Sequence, residues 1–282
     1  MNLTAAVAQI DVAVGNLKRN ADHHLAVIDT AVRKKAHLVV FPELSLTGYT
    51  VRDLAWDLAL NPFEDRLFSQ FKKRSKEISI ALGFIESGSD HGIYNSAVFL
   101  EDGEIKHIHR KIYPPTYGMF EEGRYFGKGR TVRAFDSKWG RFGMLICEDL
   151  WHVSLPYLLA MDGAEVILSL TASPTRMQGE EPDLGVARIN HEHHRVFARL
   201  LSSYILFSNR TGFEDGVSFW GGSTIISPSG EHLVEAGQFK EDLILAPVSS
   251  EEVQRARRFS RHLLDEDPQL VSSILREITR SA

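Results

Sequence analysis

The sequence predicts an α/β protein, because strand-like and helix-like segments alternate along the chain. Short runs of β-branched and apolar residues are separated by segments whose apolar residues recur at helical spacing. Two segments also show the alternation and turn residues of β-hairpins, so we expect mixed sheets rather than purely parallel ones. The 282 residues are 43% hydrophobic and 24% charged, which is typical of a globular protein.

In the first half of the chain, each element follows from a local pattern. Leu25, Ile28 and Val32 repeat at the spacing of one helix face among charged residues, and the apolar run HLVVF ends at Pro42 as a buried strand would. The pair Asp102-Gly103 between alternating segments is typical of a two-residue hairpin turn. The predicted elements are strands at 5–10, 37–41 and 78–85, helices at 17–35 and 64–77, and a hairpin at 94–112.

The second half continues the same alternation. Apolar runs such as RFGMLICE and YILFSN predict strands, and a Pro-Ser-Gly sequence marks the turn of a second hairpin. The predicted elements are strands at 141–148, 165–170 and 204–209, helices at 154–162 and 184–201, a hairpin at 221–236 and a charged helix from 251 onward. No break in composition separates them, so we expect a single domain over residues 1–282.

Composition and charge disfavour several classes of function. The chain has 32 basic against 37 acidic residues and a net charge of −5, whereas non-specific nucleic-acid binding requires a basic surface. The single cysteine, Cys147, rules out an intrachain disulfide and a cysteine-based metal site. No apolar run approaches the ~18–20 residues of a membrane span, and the N-terminus lacks the basic region of a secretory signal. We therefore expect a cytoplasmic protein without nucleic-acid or membrane partners.

Three polar residues follow predicted strands at positions where α/β proteins place functional groups. Glu43 follows HLVVFP, Lys111 ends the first hairpin, and Cys147 ends the run MLIC. Taken singly, they are explained as a turn carboxylate, a solvated strand end and a small buried thiol. Taken together, they supply a base, a cation and a nucleophile, which are the groups that acyl transfer through a cysteine needs.

The sequence resembles the nitrilase superfamily of carbon–nitrogen hydrolases along nearly its whole length. Five blocks in order carry the resemblance: AVAQIDVAVGNLKRN, LVVFPELSLTGY, HRKIYPPTYGMFEEGRYF, GMLICEDLWH and SNRTGFEDGVSFWGGSTIISPSG. Within the superfamily, the sequence looks most like the glutaminase portion of glutamine-dependent NAD synthetases. We expect a stand-alone amidase of that lineage, or a glutaminase with a separate partner, because the ATP-binding signature of the synthetase portion does not occur.

The resemblance implies a fold and a set of catalytic residues. The fold is a four-layer αββα sandwich with two mixed sheets, in which two protomers usually pair, so we expect a homodimer or higher homo-oligomer. The catalytic glutamate, lysine and nucleophile correspond to Glu43, Lys111 and Cys147. The second active-site glutamate corresponds to Glu122, with Glu121 as the alternative. No metal or organic cofactor is expected.

We hypothesise that the chain hydrolyses a small carboxamide, such as an ω-amide or glutamine, through a cysteine thioester with release of ammonia. The substrate-binding candidates lie within or beside the motif blocks: Tyr49, Tyr117, Glu148, Trp151, His152 and Ser173. Hydrolysis of a nitrile uses the same residues and stays open as an alternative. A second alternative is a non-catalytic interaction protein that keeps the fold.

A histidine cluster invites a metal interpretation. His191 and His194 share a helix face at i,i+3, whereas His193 points elsewhere. No aspartate or cysteine stands at ligand spacing in the catalytic blocks. We therefore expect no metal there, and a solvated or interface helix instead.

Overall fold

Two six-stranded mixed sheets form the centre of the protein, in a computed structural model that describes residues 1–178 and 181–281. The strands are β1 Asn2–Gln9, β2 Leu38–Val40, β3 Ser79–Ser87, β4 Ile93–Glu101, β5 Glu104–Arg110, β6 Phe135–Ser137, β7 Gly140–Ile146, β8 Val166–Thr171, β9 Pro174–Gln178, β10 Glu181–Asp183, β11 Tyr204–Asn209, β12 Thr211–Glu214, β13 Val217–Trp220, β14 Thr224–Ile226, β15 His232–Glu235 and β16 Asp242–Ser249. The first sheet has the order β16-β1-β2-β3-β4-β5, and the second has the order β15-β14-β11-β8-β7-β6.

The helices lie outside the two sheets. They are α1 Leu17–Arg33, α2 Ala55–Leu58, α3 Arg66–Arg74, α4 Glu122–Tyr125, α5 Ser154–Met161, α6 Gly185–Leu201, α7 Ser250–Phe259 and α8 Pro268–Ser281, with 3₁₀ turns at Arg52–Leu54 and Cys147–Trp151. Local residues set some of their ends. The Asn16 side chain caps α1 by accepting from the Arg19 N–H at 3.0 Å, and α6 ends where Ser202 adopts a left-handed conformation.

Alternating side chains of the strands build three packed interfaces. On β1, Leu3, Ala5 and Val7 point into the core between the two sheets, and Ala6 and Ala8 point outward under α1 and α3. The second sheet repeats this arrangement, with alternate residues of β7, β8 and β11 packing under α5 and α6. The predicted four-layer αββα sandwich with two mixed sheets is therefore confirmed.

The sequence prediction missed a small third sheet of order β10-β9-β13-β12. Its strands are three to five residues long and lack an extended apolar alternation, so periodicity could not reveal them. One local signal was available. Asp215 and Gly216 join β12 to β13 with φ values of 47° and 82°, the positive pair that an Asp-Gly hairpin turn requires.

The C-terminal region also differs from the single charged helix expected from residue 251. It forms α7 and α8, which are separated at Ser260–Asp267 and followed by the end of the chain. Among the helices of the described residues, none is both long and apolar enough to cross a membrane.

Strand direction brings the functional segments to one edge of the sandwich. Strands β1, β2 and β3 run parallel, and β5 points the same way because two antiparallel pairings separate it from β3. Strands β7, β8 and β11 are parallel to one another in the second sheet. Loops that follow β2, β5, β7 and β8 therefore begin at the carboxyl ends of their sheets, where α/β proteins place their sites.

Candidate active site

Cys147 stands at the point where β7 turns into a 3₁₀ helix. Its φ is 46°, a conformation that is uncommon for a residue other than glycine and that concentrates at functional sites. The predicted strand at 141–148 ends two residues earlier, at Ile146, because the backbone turns into the 3₁₀ helix here. The side chain is half-buried. The turn therefore holds the thiol at the carboxyl end of the second sheet rather than inside it.

Glu43 is buried at the carboxyl end of β2, with an exposed fraction of 1%. A close backbone approach puts it there, because Gly83 on β3 leaves room for the passing segment. A Cβ at Gly83 would lie 2.4 Å from the Leu44 nitrogen and 2.8 Å from the Glu43 Cα. The Glu43 Oε2 accepts a hydrogen bond of 2.9 Å from the Ala172 N–H, which links the first sheet to the loop after β8.

Lys111 joins two carboxylates in a buried charged cluster, which we define as Glu43, Lys111 and Glu122. The Nζ of Lys111 donates to Glu43 Oε1 at 2.7 Å and to Glu122 Oε1 at 2.7 Å. The three side chains are at most 5% exposed. Glu121, the alternative to Glu122, is solvent-exposed and faces a neighbouring cavity. The structure therefore brings the residues expected from the motif blocks together.

Two further residues hold the charged cluster, and the sequence interpretation missed the role of both. Asn95 is fully buried, and its Nδ2 donates to Glu43 Oε1 at 2.7 Å and to Glu122 Oε2 at 3.2 Å. The Tyr49 hydroxyl donates to Glu122 Oε1 at 2.5 Å. Tyr49 was expected only in a substrate-binding role. A polar residue inside the apolar strand YNSAVFLE was the available signal for Asn95.

The electrostatics of the cluster fix the protonation of two groups. Burial raises the pKa of the Cys147 thiol well above its usual range, and the Glu43 charge raises it further, against the opposing effect of Lys111. Burial lowers the pKa of Lys111, but the Glu122 and Glu43 carboxylates outweigh it and raise the pKa well above its usual value. The resting site therefore contains a protonated thiol and an ammonium.

Asp149 connects the cysteine turn to the lysine segment. Its Oδ1 accepts from the Ile112 N–H at 3.0 Å and the Tyr113 N–H at 3.1 Å, directly after Lys111. Its Oδ2 accepts from the Ile146 N–H at 3.2 Å and lies 2.8 Å from His109 Nε2. This fully buried carboxylate thus fixes the position of the nucleophile relative to the cation.

The outer part of the site contains most of the predicted substrate-binding residues. The Tyr117 hydroxyl donates to Glu148 Oε2 at 2.9 Å, and burial and then this bond raise the pKa of Tyr117 to about 12. His152 stacks on the Tyr113 ring and its Nε2 lies 3.9 Å from Glu148 Oε1. Trp151 is 41% exposed at the surface nearby.

Ser173 approaches the site from the second sheet, in the loop after β8. It is buried, and its N–H donates to Asn209 Oδ1 at 2.8 Å. On the other side of the charged cluster, Tyr49, Glu122 and Phe219 line a cavity of about 210 Å³.

The histidines of α6 do not converge. His191 and His194 share a face, as expected, and both rings contact Phe207. His193 points elsewhere and meets the Trp151 ring edge-on. The expectation of a solvated helix is wrong for this face, because His194 is buried against the second sheet with its Nε2 3.3 Å from Ser169 Oγ.

The sequence matches a known family and several named proteins. Residues 4–258 match the family model for the carbon-nitrogen hydrolases. A glutamine-dependent NAD(+) synthetase from Acinetobacter baylyi is 31% identical over 252 residues, which cover 88% of this chain and 44% of that protein. A citrullinase from Francisella tularensis is 27% identical over 96% of this chain and the whole of that protein. The chain thus spans less than half the length of the synthetase relative.

Solved structures share the fold. A carbon-nitrogen hydrolase from Helicobacter pylori superposes with a TM-score of 0.88 at 24% identity, covering 98% of this chain and 99% of that one. A glutamine-dependent NAD+ synthetase from Acinetobacter baumannii gives 0.79 at 29% identity, covering 90% of this chain and 47% of that one. The family model spans most of the sequence, and the chain belongs to the carbon-nitrogen hydrolase family.

Proposed function

We propose that this carbon–nitrogen hydrolase cleaves the terminal carboxamide of a small amino-acid-like substrate, through a thioester on Cys147 and with release of ammonia. The observation that carries the proposal is the charged cluster beside the thiol, in which one ammonium lies 2.7 Å from each of two buried carboxylates. A structural core has no need of such a cluster, since burying charges costs free energy. That cost disfavours the alternative of a non-catalytic interaction protein.

The first half of the reaction begins with a thiol that still carries its proton. Glu43 accepts the proton as the Cys147 sulfur bonds to the amide carbon, so no free thiolate is stored beside two carboxylates. Lys111 and a backbone N–H near Glu148 stabilise the negative charge on the former carbonyl oxygen, and such a donor contributes about 3–4 kcal/mol. Glu43 then gives the proton to the amide nitrogen, the carbon–nitrogen bond breaks, and ammonia leaves.

The second half releases the acid. Glu43 takes a proton from a water molecule as its oxygen attacks the thioester carbon, and the carbon–sulfur bond breaks with return of the proton to sulfur. Glu122 acts through Lys111: with Tyr49 and Asn95 it holds the ammonium in position. Every step uses groups of this chain and one water, so the proposal includes no cofactor.

The Tyr117–Glu148 pair favours a substrate that carries an ammonium group. Glu148 directly follows the nucleophile, and its carboxylate accepts from the Tyr117 hydroxyl at the outer part of the site. A carboxylate there can bind the α-ammonium of an amino acid whose side chain ends in a carboxamide. Two relatives are named for glutamine and citrulline, and the side chain of each ends in C(=O)NH₂. Trp151, His152 and Ser173 complete the proposed binding site.

A substrate panel separates the amide proposal from nitrile hydrolysis. Ammonia release is measured from glutamine, citrulline, butyramide and butyronitrile. We expect turnover of an amino-acid amide, at least 10³-fold slower turnover in Cys147→Ala, and poor turnover of the nitrile. Glu148→Gln should raise KM for the amino-acid amide and leave KM for butyramide unchanged. Faster hydrolysis of the nitrile than of every amide would favour the nitrilase alternative.

A further inference from the structure

A second group of potential ligands lies on the outer side of the second sheet, away from the charged cluster. His191 on α6 meets His232 and Glu235 of β15, and we define these three residues as the His–His–Glu cluster. One ligand atom of each lies within 4.8 Å of the other two. His232 Nδ1 is 3.1 Å and His191 Nδ1 is 3.9 Å from the Glu235 carboxylate. No step of the proposed reaction uses these residues.

The tautomer of His191 is set by its backbone contact. Its Nε2 lies 2.8 Å from the Gly222 carbonyl oxygen, which can only accept, so the proton is on Nε2. The lone pair of Nδ1 then faces Glu235. Imidazoles that bind metals usually donate their other N–H to a carbonyl or carboxylate in this way.

His232 supplies a second and independent observation. Its Nε2 is buried and has no hydrogen-bond partner among the described residues. Its Nδ1 already has two neighbours, Glu235 Oε2 at 3.1 Å and Thr224 Oγ1 at 3.4 Å. Buried polar atoms almost always have partners, so this unpaired nitrogen requires an explanation. The ring that carries it lies against the His191 ring, with the two ring centroids 5.1 Å apart.

We propose that the His–His–Glu cluster binds a divalent transition-metal ion of the Zn²⁺ type, with water in the remaining position. Two imidazoles and a carboxylate are a donor set that suits this class of ion. Bonds of ~2.0–2.1 Å in a tetrahedron place donor atoms about 3.3 Å apart, so the cluster has to contract on binding. The Glu235 side chain is 44% exposed and free to make that movement.

The site would be structural, joining α6 to the β14–β15 hairpin. A chain of hydrogen bonds also connects His191 with the predicted substrate-binding residue Ser173. The Gly222 carbonyl accepts from His191, the neighbouring Gly221 carbonyl accepts from Asn209 Nδ2, and Asn209 Oδ1 accepts from the Ser173 N–H. Metal binding would therefore stiffen the segment that positions Ser173, without supplying any group to the reaction.

Titration of the metal-free protein with Zn²⁺ tests the proposal. Cys147→Ala is the background, because the thiol is a competing ligand. We expect one ion per chain by calorimetry, a Tm that rises with free Zn²⁺, and d–d absorption of a tetrahedral site with Co²⁺. Glu235→Gln should weaken Zn²⁺ binding by about tenfold or more, since even the loss of an outer hydrogen bond costs a metal site ~10–100-fold. His232→Gln should do the same.

Glu231→Gln is the matched control, because Glu231 is an exposed carboxylate of the same hairpin outside the cluster. It should bind Zn²⁺ as tightly as the background protein. Equal binding by Glu235→Gln and Glu231→Gln, or no stoichiometric binding by the background protein, would overturn the proposal. Circular dichroism of each variant establishes that it is folded. Because Cys147→Ala lacks the nucleophile, the outcome is independent of the proposed amidase function.

Discussion

One buried lysine has to neutralise two buried carboxylates. Lys111 meets one oxygen of Glu43 and one of Glu122, and Tyr49 donates to the same Glu122 oxygen. The other Glu43 oxygen accepts from the Ala172 N–H, and the other Glu122 oxygen accepts from Asn95. An unpaired buried charge costs several kcal/mol, so these contacts favour the ionised cluster. Burial raises the pKa of Glu122, and Lys111 opposes that effect. The two carboxylates raise the pKa of Lys111 well above its usual value, which keeps the proposed oxyanion-stabilising group charged.

We expect Asn95→Ala to change the pH dependence of the reaction. Its Nδ2 donates to both glutamates, and a hydrogen bond to a carboxylate favours the ionised form. A hydrogen bond to a charged group contributes about 1.5–3 kcal/mol. Loss of the Asn95 bonds should therefore shift the acidic limb of the kcat/KM profile to higher pH by about one unit. The measurement is the pH profile of ammonia release.

Asn190→Ala is the control for this prediction. Asn190 is also buried, but its amide donates within α6, to the Val186 carbonyl. Replacing Asn190 should lower the free energy of unfolding and leave the pH profile of ammonia release unchanged. A pH profile of Asn95→Ala that matches that of the wild type would show that Asn95 has only a structural role.

At the scale of elements, the site depends on how four loops are held together. Asp149 accepts backbone N–H groups from the segment after β5 and from the end of β7. Because Asp149 is fully buried, the connection links the Cys147 turn to the segment that follows Lys111. The Asp149 hydrogen bonds hold the backbone around Cys147, where φ is positive.

We expect Asp149→Asn to destabilise the protein and to slow the reaction. The asparagine side chain has one oxygen and one NH₂ group in place of two carboxylate oxygens. At least one backbone N–H that donates to Asp149 would therefore face another donor, and His109 would lose its carboxylate partner. Leaving a buried hydrogen-bonding group unsatisfied costs about 1–3 kcal/mol of unfolding free energy. Asp136→Asn, which breaks an exposed contact with Arg141, should cost only about 0–1 kcal/mol. Urea denaturation compares the two, and equal losses would contradict this account.

The sequence predicted the elements whose pattern is local, and it missed the contacts that depend on pairing. Helix α1 and the strand before Glu43 follow from apolar periodicity, and the motif blocks indicated Lys111 and Cys147. Asn95 could not be assigned, because its contact with the charged cluster depends on the β4–β5 register, in which the Lys111 N–H donates to the Asn95 carbonyl. A register is a tertiary property, since it depends on which face is buried and on the turn.

At the scale of the whole molecule, buried histidines should make stability depend on pH. Burial lowers the pKa of His24 and His194 to about 3, from an ordinary value near 6.5. Below pH 6.5 the unfolded chain therefore binds more protons than the folded chain. The contribution of the neutral histidines to the unfolding free energy is complete above pH 6.5 and is lost as the pH falls toward 3. Each histidine contributes a slope of about 1.4 kcal/mol per pH unit in that window.

His194→Phe tests this slope. The substitution keeps a ring against Phe207 and removes the titrating group. The unfolding free energy from urea denaturation at pH 7, 6 and 5 should fall less steeply for the variant, by about 1.4 kcal/mol per pH unit. Parallel pH profiles for the variant and the wild type would contradict the assignment of His194 as a neutral buried group.

We expect the chain to self-associate, as the family resemblance implies, and this stays a prediction together with the cytoplasmic location. Helix α8 exposes five apolar side chains, each at least 37% accessible: Leu270, Val271, Ile274, Leu275 and Ile278. An exposed apolar stripe of this kind is typical of a contact surface. Sedimentation should give a multiple of the 31.7 kDa chain mass, and removal of residues 268–282 should lower it. A monomeric full chain at micromolar concentration would contradict the prediction.

Cys147 is proposed to carry the acyl group of the substrate during turnover, and intact mass spectrometry after acid quenching can detect that thioester. With an amide that the wild-type protein hydrolyses, the protein mass should rise by the mass of the substrate minus ammonia, and the increase should map to Cys147. Cys147→Ala should show neither the increase nor ammonia release. Turnover of the same amide by folded Cys147→Ala would contradict the account.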